Sequence, residues 1–106
     1  MEELYRMKAD LIKALAHPTR LRILDLLRQG ERCVCEITPA LELEQPNISQ
    51  HLALLRERGI VAWRKEGLSI YYKVKDPRVF EALDLLEGVF ARELDETHKV
   101  LAGLRR

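Results

Sequence analysis

Proline and glycine cut most of this chain into pieces too short for anything but small helices and tight hairpins. Pro18, Gly30, Pro39, Pro46, Gly59, Gly67 and Pro77 follow one another closely, and no stretch before Pro77 exceeds 17 residues without one. Proline fixes φ and removes a backbone donor, whereas glycine tolerates left-handed backbone, so both mark the ends of elements. With 106 residues, 47% apolar and 33% charged, the chain suits one domain over residues 1–106 and is too apolar to be disordered.

Between the breaks, apolar spacing predicts the elements. Leu4, Met7, Leu11, Ala14 and Leu15 recur at helical intervals over residues 2–16, and His17-Pro18 ends that segment. Leu21, Leu24 and Leu27 carry a second helix closed by Gly30. Residues 33–41 form a short third helix, in which Pro39 is awkward because an interior proline costs about 3 kcal/mol. A start near Ile37 or Thr38 would put Pro39 in the first turn and leave both cysteines at or just before the helix N-terminus. Pro46 opens a fourth helix over residues 47–58, with Ile48, Leu52 and Leu55 inward.

Beyond Gly59 the period changes. Ile70, Tyr72 and Val74 alternate with Tyr71, Lys73 and Lys75, the two-residue repeat of a half-buried strand. With residues 60–66 before it and Lys65-Glu66-Gly67-Leu68 as the turn, this reads as a β-hairpin whose core includes Trp63, Tyr71 and Tyr72. The remainder, from Pro77 to about residue 104, is one helix of roughly 40 Å at 1.5 Å per residue. Its apolar stripe exceeds what a domain this small can cover, which points to a second copy of the chain. The fold class is mainly α with a β-hairpin wing: a winged helix-turn-helix of four helices, hairpin and fifth helix, dimeric through its terminal helices.

Charge is polarised. The formal net charge is +1, but residues 56–75 hold six bases against two acids and residues 76–104 three bases against seven acids. A basic hairpin behind a helix-turn-helix suits a polyanion. Apolar runs are too short to span a bilayer, and the acidic Met1-Glu2-Glu3 start is unlike a secretory signal, so the expected compartment is the cytoplasm, with no membrane partner. No nucleophile–base pair or phosphate-cradling loop occurs, so an enzyme is not expected.

Cys33 and Cys35 are the two cysteines. They cannot staple distant segments, and in a reducing compartment such spacing reads as metal ligation or redox chemistry before a structural bridge. Residues two apart on a regular helix point about 200° apart, so one ion could be shared only where the backbone is distorted. Thiolates are soft ligands, and a helix N-terminus together with Arg32 favours the thiolate.

Four stretches, in order, are similar to the ArsR/SmtB family of bacterial metal-responsive repressors: residues 14–21 (ALAHPTRL), 31–37 (ERCVCEI), 45–52 (QPNISQHL) and 64–72 (RKEGLSIYY). The resemblance implies a dimeric repressor on an imperfect palindrome of double-stranded operator DNA, released when its effector binds. It implies Cys33 and Cys35 as ligands of As(III) or Sb(III), with Cd(II), Pb(II) or Zn(II) as other effectors, and no permanently bound cofactor. Gln45, Asn47, Ser49, Gln50 and His51 would face DNA from the reading helix, and Arg64, Lys65 and Lys73 from the wing. Asn and Gln suit adenine edges, while the bases suit phosphate. Leu4, Met7, Leu11, Phe90, Leu94 and Leu101 would form the dimer interface.

There are departures from the family pattern. Thr38 stands where three-cysteine arsenic sensors usually carry their third thiol. The last helix has a single histidine, His98, too few for the zinc site of other members. Glu44 stands where a capping serine often precedes Gln-Pro. His17 reads as a turn residue. A redox- or persulfide-responsive repressor, a protein-interaction adaptor of the same fold and a small metal carrier remain the rival readings.

Overall fold

The computed structural model describes the backbone of residues 1–104 and, within them, every side chain except those of 98–102 and 104. Two compact units result, residues 1–76 and the helix beyond them.

The first unit runs α1 (Glu2–Leu15), α2 (Pro18–Leu26), β1 (Arg32–Cys33), α3 (Val34–Leu41), α4 (Gln45–Glu57), β2 (Val61–Glu66) and β3 (Ser69–Val74). His17 caps α2: its backbone is extended and its Nδ1 accepts from the Thr19 N–H at 3.1 Å. Pro18 fills the next position, where no donor is needed. His17 is thus the turn residue expected, with a defined task. The core is drawn chiefly from α2, α3 and α4 and the start of β2, with Ala14 added from α1 and Tyr72 from β3. Ile23, Leu24, Ile48, Leu52 and Leu55 are fully buried, with Ile37 and Val61 nearly so. Leu21, assigned to the inner stripe of α2, is 39% exposed, and Ile23 takes its place.

Two expectations about the third helix are corrected. It begins at Val34, not near Ile37 or Thr38, and keeps Pro39 in its interior. The proline forgoes the bond that would reach the Cys35 carbonyl, but only two residues follow it before Glu42 ends the helix in left-handed backbone at φ 56°. A lost bond so near the end disrupts little. The other correction is a strand that periodicity could not show: Arg32 and Cys33 pair antiparallel with Tyr72 and Tyr71, making a three-stranded sheet in the order β1-β3-β2. Two residues carry no readable alternation, and only the partner strand defines them.

The hairpin pairs Val61 with Val74 through to Glu66 with Ser69. Its two-residue turn puts Gly67 at φ 61°, backbone that a tight hairpin turn requires and that a side chain would strain. The hairpin extends past the core, so Trp63 is 44% exposed instead of buried. The Arg56 guanidinium lies 4.9 Å from the centre of its ring. Tyr72, on the inner face of β3, is buried as expected.

The second unit contains α5 (Arg78–Leu104). Leu85, Leu86, Val89, Phe90 and Leu94 are exposed along it, and α1 exposes Leu4, Tyr5, Met7, Leu11 and Ile12. Leu101 and His98 lie outside the residues with described side chains. No helix among the described residues is long and apolar enough to cross a membrane.

Candidate DNA interface and thiol pair

Helix α4 follows α3 after three residues and exposes Gln45, Asn47 and Gln50 to solvent, with Ser49 half-buried beside them. Ile48, Leu52 and Leu55 fix the opposite face in the core, so the polar front end of α4 is held rigidly outward. Glu44 occupies the N-cap without a side-chain cap bond, in keeping with the loss anticipated when serine is absent.

His51 differs from its neighbours. The Arg20 guanidinium donates to the Ala14 and Lys13 carbonyls at 2.6 and 3.1 Å, closing the last turn of α1, and lies 3.2 Å from His51 Nδ1. Arginine only donates, so Nδ1 accepts and the neutral ring carries its proton on Nε2. The His17 ring packs 4.4 Å from the His51 ring. Burial, then the charges of His17 and Arg20, push the His51 pKa down. Through Arg20, His51 thus ties α4 to α1 and α2, a role the sequence did not reveal because its partners Arg20 and His17 are distant in the chain.

A native pKa below the ordinary histidine value means the unfolded chain takes up a proton that the folded one refuses. Stability should hold above about pH 7.5 and fall as pH drops through about 6.5, the unfolded histidine value. Urea midpoints at pH 7.5 and 5.5 should differ more for the wild type than for His51→Gln, whose amide oxygen can still accept from Arg20. Equal shifts in both would exclude His51 as the cause.

On the wing, Lys65 and Lys73 are exposed. Arg64 is also exposed but engaged: it donates to both carboxylate oxygens of Glu31 at 2.9 and 2.6 Å and to Glu66 at 2.6 Å. Its guanidinium also lies 4.6 Å from the Tyr71 ring centre. The Arg64 hydrogen bond holds Glu31 below the usual carboxylate range, and Glu31 and Glu66 raise Arg64 further. Arg64 therefore reaches a phosphate only by exchanging these carboxylates. Glu31→Gln should raise affinity for nonspecific duplex DNA and steepen its salt dependence by about one released counterion. Fluorescence anisotropy across a salt series measures that slope, and an unchanged slope would show that Arg64 does not contact phosphate.

The thiol pair sits where α3 begins. Cys33 is the last residue of β1 and the N-cap of α3, extended at φ −73° and ψ 146°, and 2% exposed. Cys35, in the first turn, is exposed. Because Cys33 precedes the helix proper, the two side chains converge despite a separation of two: their Cα atoms are 5.0 Å apart and the sulfurs are joined as a disulfide. Cys33 Sγ also accepts from the Cys35 N–H at 3.0 Å, while Glu36 accepts from the Cys33 N–H at 3.3 Å. The extended cap, not a proline-delayed helix start, brings the sulfurs together. Both open into a cleft of about 450 Å³ that also touches Gln45 and Ser49 of α4 and Leu68 and Ser69 of the wing turn.

Comparison with known proteins agrees with this geometry. A family model described as "Bacterial regulatory protein, arsR family" matches residues 17–62. The HTH-type transcriptional regulator Rv0081 of Mycobacterium tuberculosis is 42% identical over 98% of this chain and 92% of its own length. The chain belongs to the ArsR family. This ArsR-family regulator overlays the Rv0081 crystal structure with a TM-score of 0.80, at 41% identity over 88% of this chain and 94% of that one. The arsenical resistance operon repressor of Escherichia coli is 36% identical over 96% of this chain and 88% of its own length. A homodimeric winged helix-turn-helix DNA-binding domain from Mycobacterium bovis matches with a TM-score of 0.79, at 36% identity over 90% of this chain and 88% of that one. The protein is accordingly a winged helix-turn-helix transcriptional repressor of the ArsR/SmtB type, and not an enzyme.

Proposed function

We propose that this repressor acts in the cytoplasm as a homodimer on an imperfect palindromic operator and leaves it when a thiophilic ion binds Cys33 and Cys35. As(III) and Sb(III) are the preferred effectors; Cd(II), Pb(II) and Zn(II) are harder to satisfy with two sulfurs. The supporting observation is the position of the sulfurs. Cys33 belongs at once to the sheet that continues into the wing and to the cap of the helix packed against α4. An ion bridging the two thiolates would shift the anchors of both DNA-facing elements. The pair fits the chelating half of such a site. Among the described residues no group of three or more His, Cys, Asp or Glu is placed to hold a metal, so any further ligand comes from outside that set.

The test is a mobility shift with the protein's own promoter DNA. Affinity should fall steeply as salt rises, and arsenite should release the reduced protein from the duplex. A docking adaptor would show no salt-graded DNA binding, and a metal carrier no ion-dependent release.

The dimer reading rests on the exposed apolar residues of α1 and α5, and on the homodimeric M. bovis domain. Leu11→Glu or Phe90→Glu should shift the protein to monomer in sedimentation and weaken operator binding at least tenfold, because a buried unpaired carboxylate is costly and half-sites then bind separately. A variant that remains dimeric would remove that residue from the interface.

A second reading, repression lifted by oxidation, is favoured by the sulfurs already standing in disulfide contact. It predicts that reduced protein binds the operator and oxidised protein does not, without any ion.

A further inference from the structure

We propose that the Arg20–His51–His17 cluster is a proton-operated latch on the reading helix, through which mild acid releases the operator independently of the thiol pair. The inference rests on the reading of the protein as a DNA-binding dimer and adds a second input to it. His51 then acts as a positioning residue, through Arg20, and not as a contact to base or phosphate.

Three elements meet at the cluster. Helix α1 brings the Ala14 and Lys13 carbonyls, with the Lys13 side chain exposed; α2 brings its cap His17 and Arg20; α4 brings His51, half-buried. One guanidinium spans all three, at 2.6, 3.1 and 3.2 Å. Both histidines use Nδ1 as an acceptor, His51 for Arg20 and His17 for the Thr19 N–H. An imidazolium donates from both nitrogens and accepts at neither. A proton on His51 therefore replaces the Arg20 bond with two like charges 3.2 Å apart, and a proton on His17 removes the cap of α2. The charges that bear on His51 are those of His17 and Arg20, and among the described residues no carboxylate offsets them. A further charged tie between α1 and α4, Asp10 with Arg58 at 3.9 Å, lies at the C-terminal end of α4 and involves no histidine.

The latch joins the dimer surface to the DNA reader. Helix α1 carries exposed apolar residues assigned to the dimer, and α4 carries Gln45, Asn47 and Gln50. Paired reading helices engage a palindrome only at a spacing that matches the turn of DNA, so the hold of α4 against α1 sets the register of both half-sites. Each dimer has two latches, and opening either one spoils that spacing. The sign separates this device from ordinary charge. A histidine facing phosphate tightens binding when it gains a proton, whereas the latch loosens it.

The experiment uses the full chain with its thiols reduced, on promoter DNA at constant ionic strength. Anisotropy titrations run from pH 7.5 to about 5.5, the window in which histidine changes charge. Far-UV circular dichroism and sedimentation follow the fold and the dimer at each pH. Wild-type affinity should fall at least about fivefold across the window, within ordinary coupling strengths, with ellipticity unchanged. His51→Gln, whose amide accepts from Arg20 but takes no proton, should stay within about twofold. His17→Asn keeps a good N-cap and removes the charge that opposes a proton on His51, so its release should begin at a higher pH. Cys35→Ser should respond as the wild type does. Affinity that is flat or rises in acid, a response that survives His51→Gln, one lost in Cys35→Ser, or one that tracks loss of ellipticity each overturns the latch and leaves the operator reading standing. Absence of salt-graded binding at pH 7.5 overturns both.

Discussion

Cys33→Ser and Cys35→Ser variants should each bind the operator within about twofold of wild type and show no release at arsenite concentrations that clear the wild-type protein. The asymmetry follows from where the sulfurs sit. Neither belongs to the polar front of α4 or to the exposed wing lysines, so the unliganded grip on DNA does not depend on them. Coupling between effector and operator is typically about 1–3 kcal/mol, a factor of roughly 5–150 in affinity, and a single thiolate cannot chelate, so either substitution should remove nearly all of it. Cys33 is buried and its Sγ accepts the Cys35 N–H. Serine retains that bond, since its oxygen is a good N-cap acceptor, and the α3 start should survive. Mobility shift with and without arsenite checks the result. A Cys35→Ser protein that still dissociates with arsenite would place the effector elsewhere, and one that dissociates only on oxidation would favour the redox reading.

The other large effect concerns the reading helix. Leu52 is fully buried on the inner face of α4, and Leu52→Ala should destabilise the fold by about 2–5 kcal/mol through lost transfer energy and the cavity left behind. Alanine preserves helix propensity, so the loss reports packing alone. Against a typical total of about 5–15 kcal/mol, much of the stability would disappear. The urea midpoint should fall with its slope unchanged, at fixed protein concentration because dimerisation adds to apparent stability. Leu68→Ala, at a side chain fully exposed on the wing turn, should stay within about 0.5 kcal/mol. Similar losses at the two positions would mean that α4 is not anchored through Leu52.

These effects connect at Cys33. One residue closes β1, caps α3 and supplies a sulfur, so the strand ladder into the wing and the helix against α4 share one anchor. Arg64, tied to Glu31 just before that anchor, fastens the wing to the same segment. A chemical event at the pair therefore reaches both DNA-facing elements without a long relay.

The order of the helices, the helix-turn-helix followed by a hairpin, the exposed polar front of α4 and the family were all legible in the amino-acid order. They depend on local propensity: the 3.6- and two-residue periods, and proline and glycine at the breaks. Pattern also marked Cys33 and Cys35, and it left a surplus of apolar surface on α1 and α5. It could not reveal β1, because two residues have no period of their own, nor the Arg20–His51–His17 cluster and the Glu31–Arg64 tie, whose members lie up to 34 residues apart. It misplaced the start of α3, because a general proline penalty does not say how few residues of helix follow. It buried Trp63, because alternation does not tell how far a hairpin outruns its core. Local rules fix which residues become helix or strand; which side chains then meet is decided only when the elements pack, and there the thiol pair acquired its partners and its cleft.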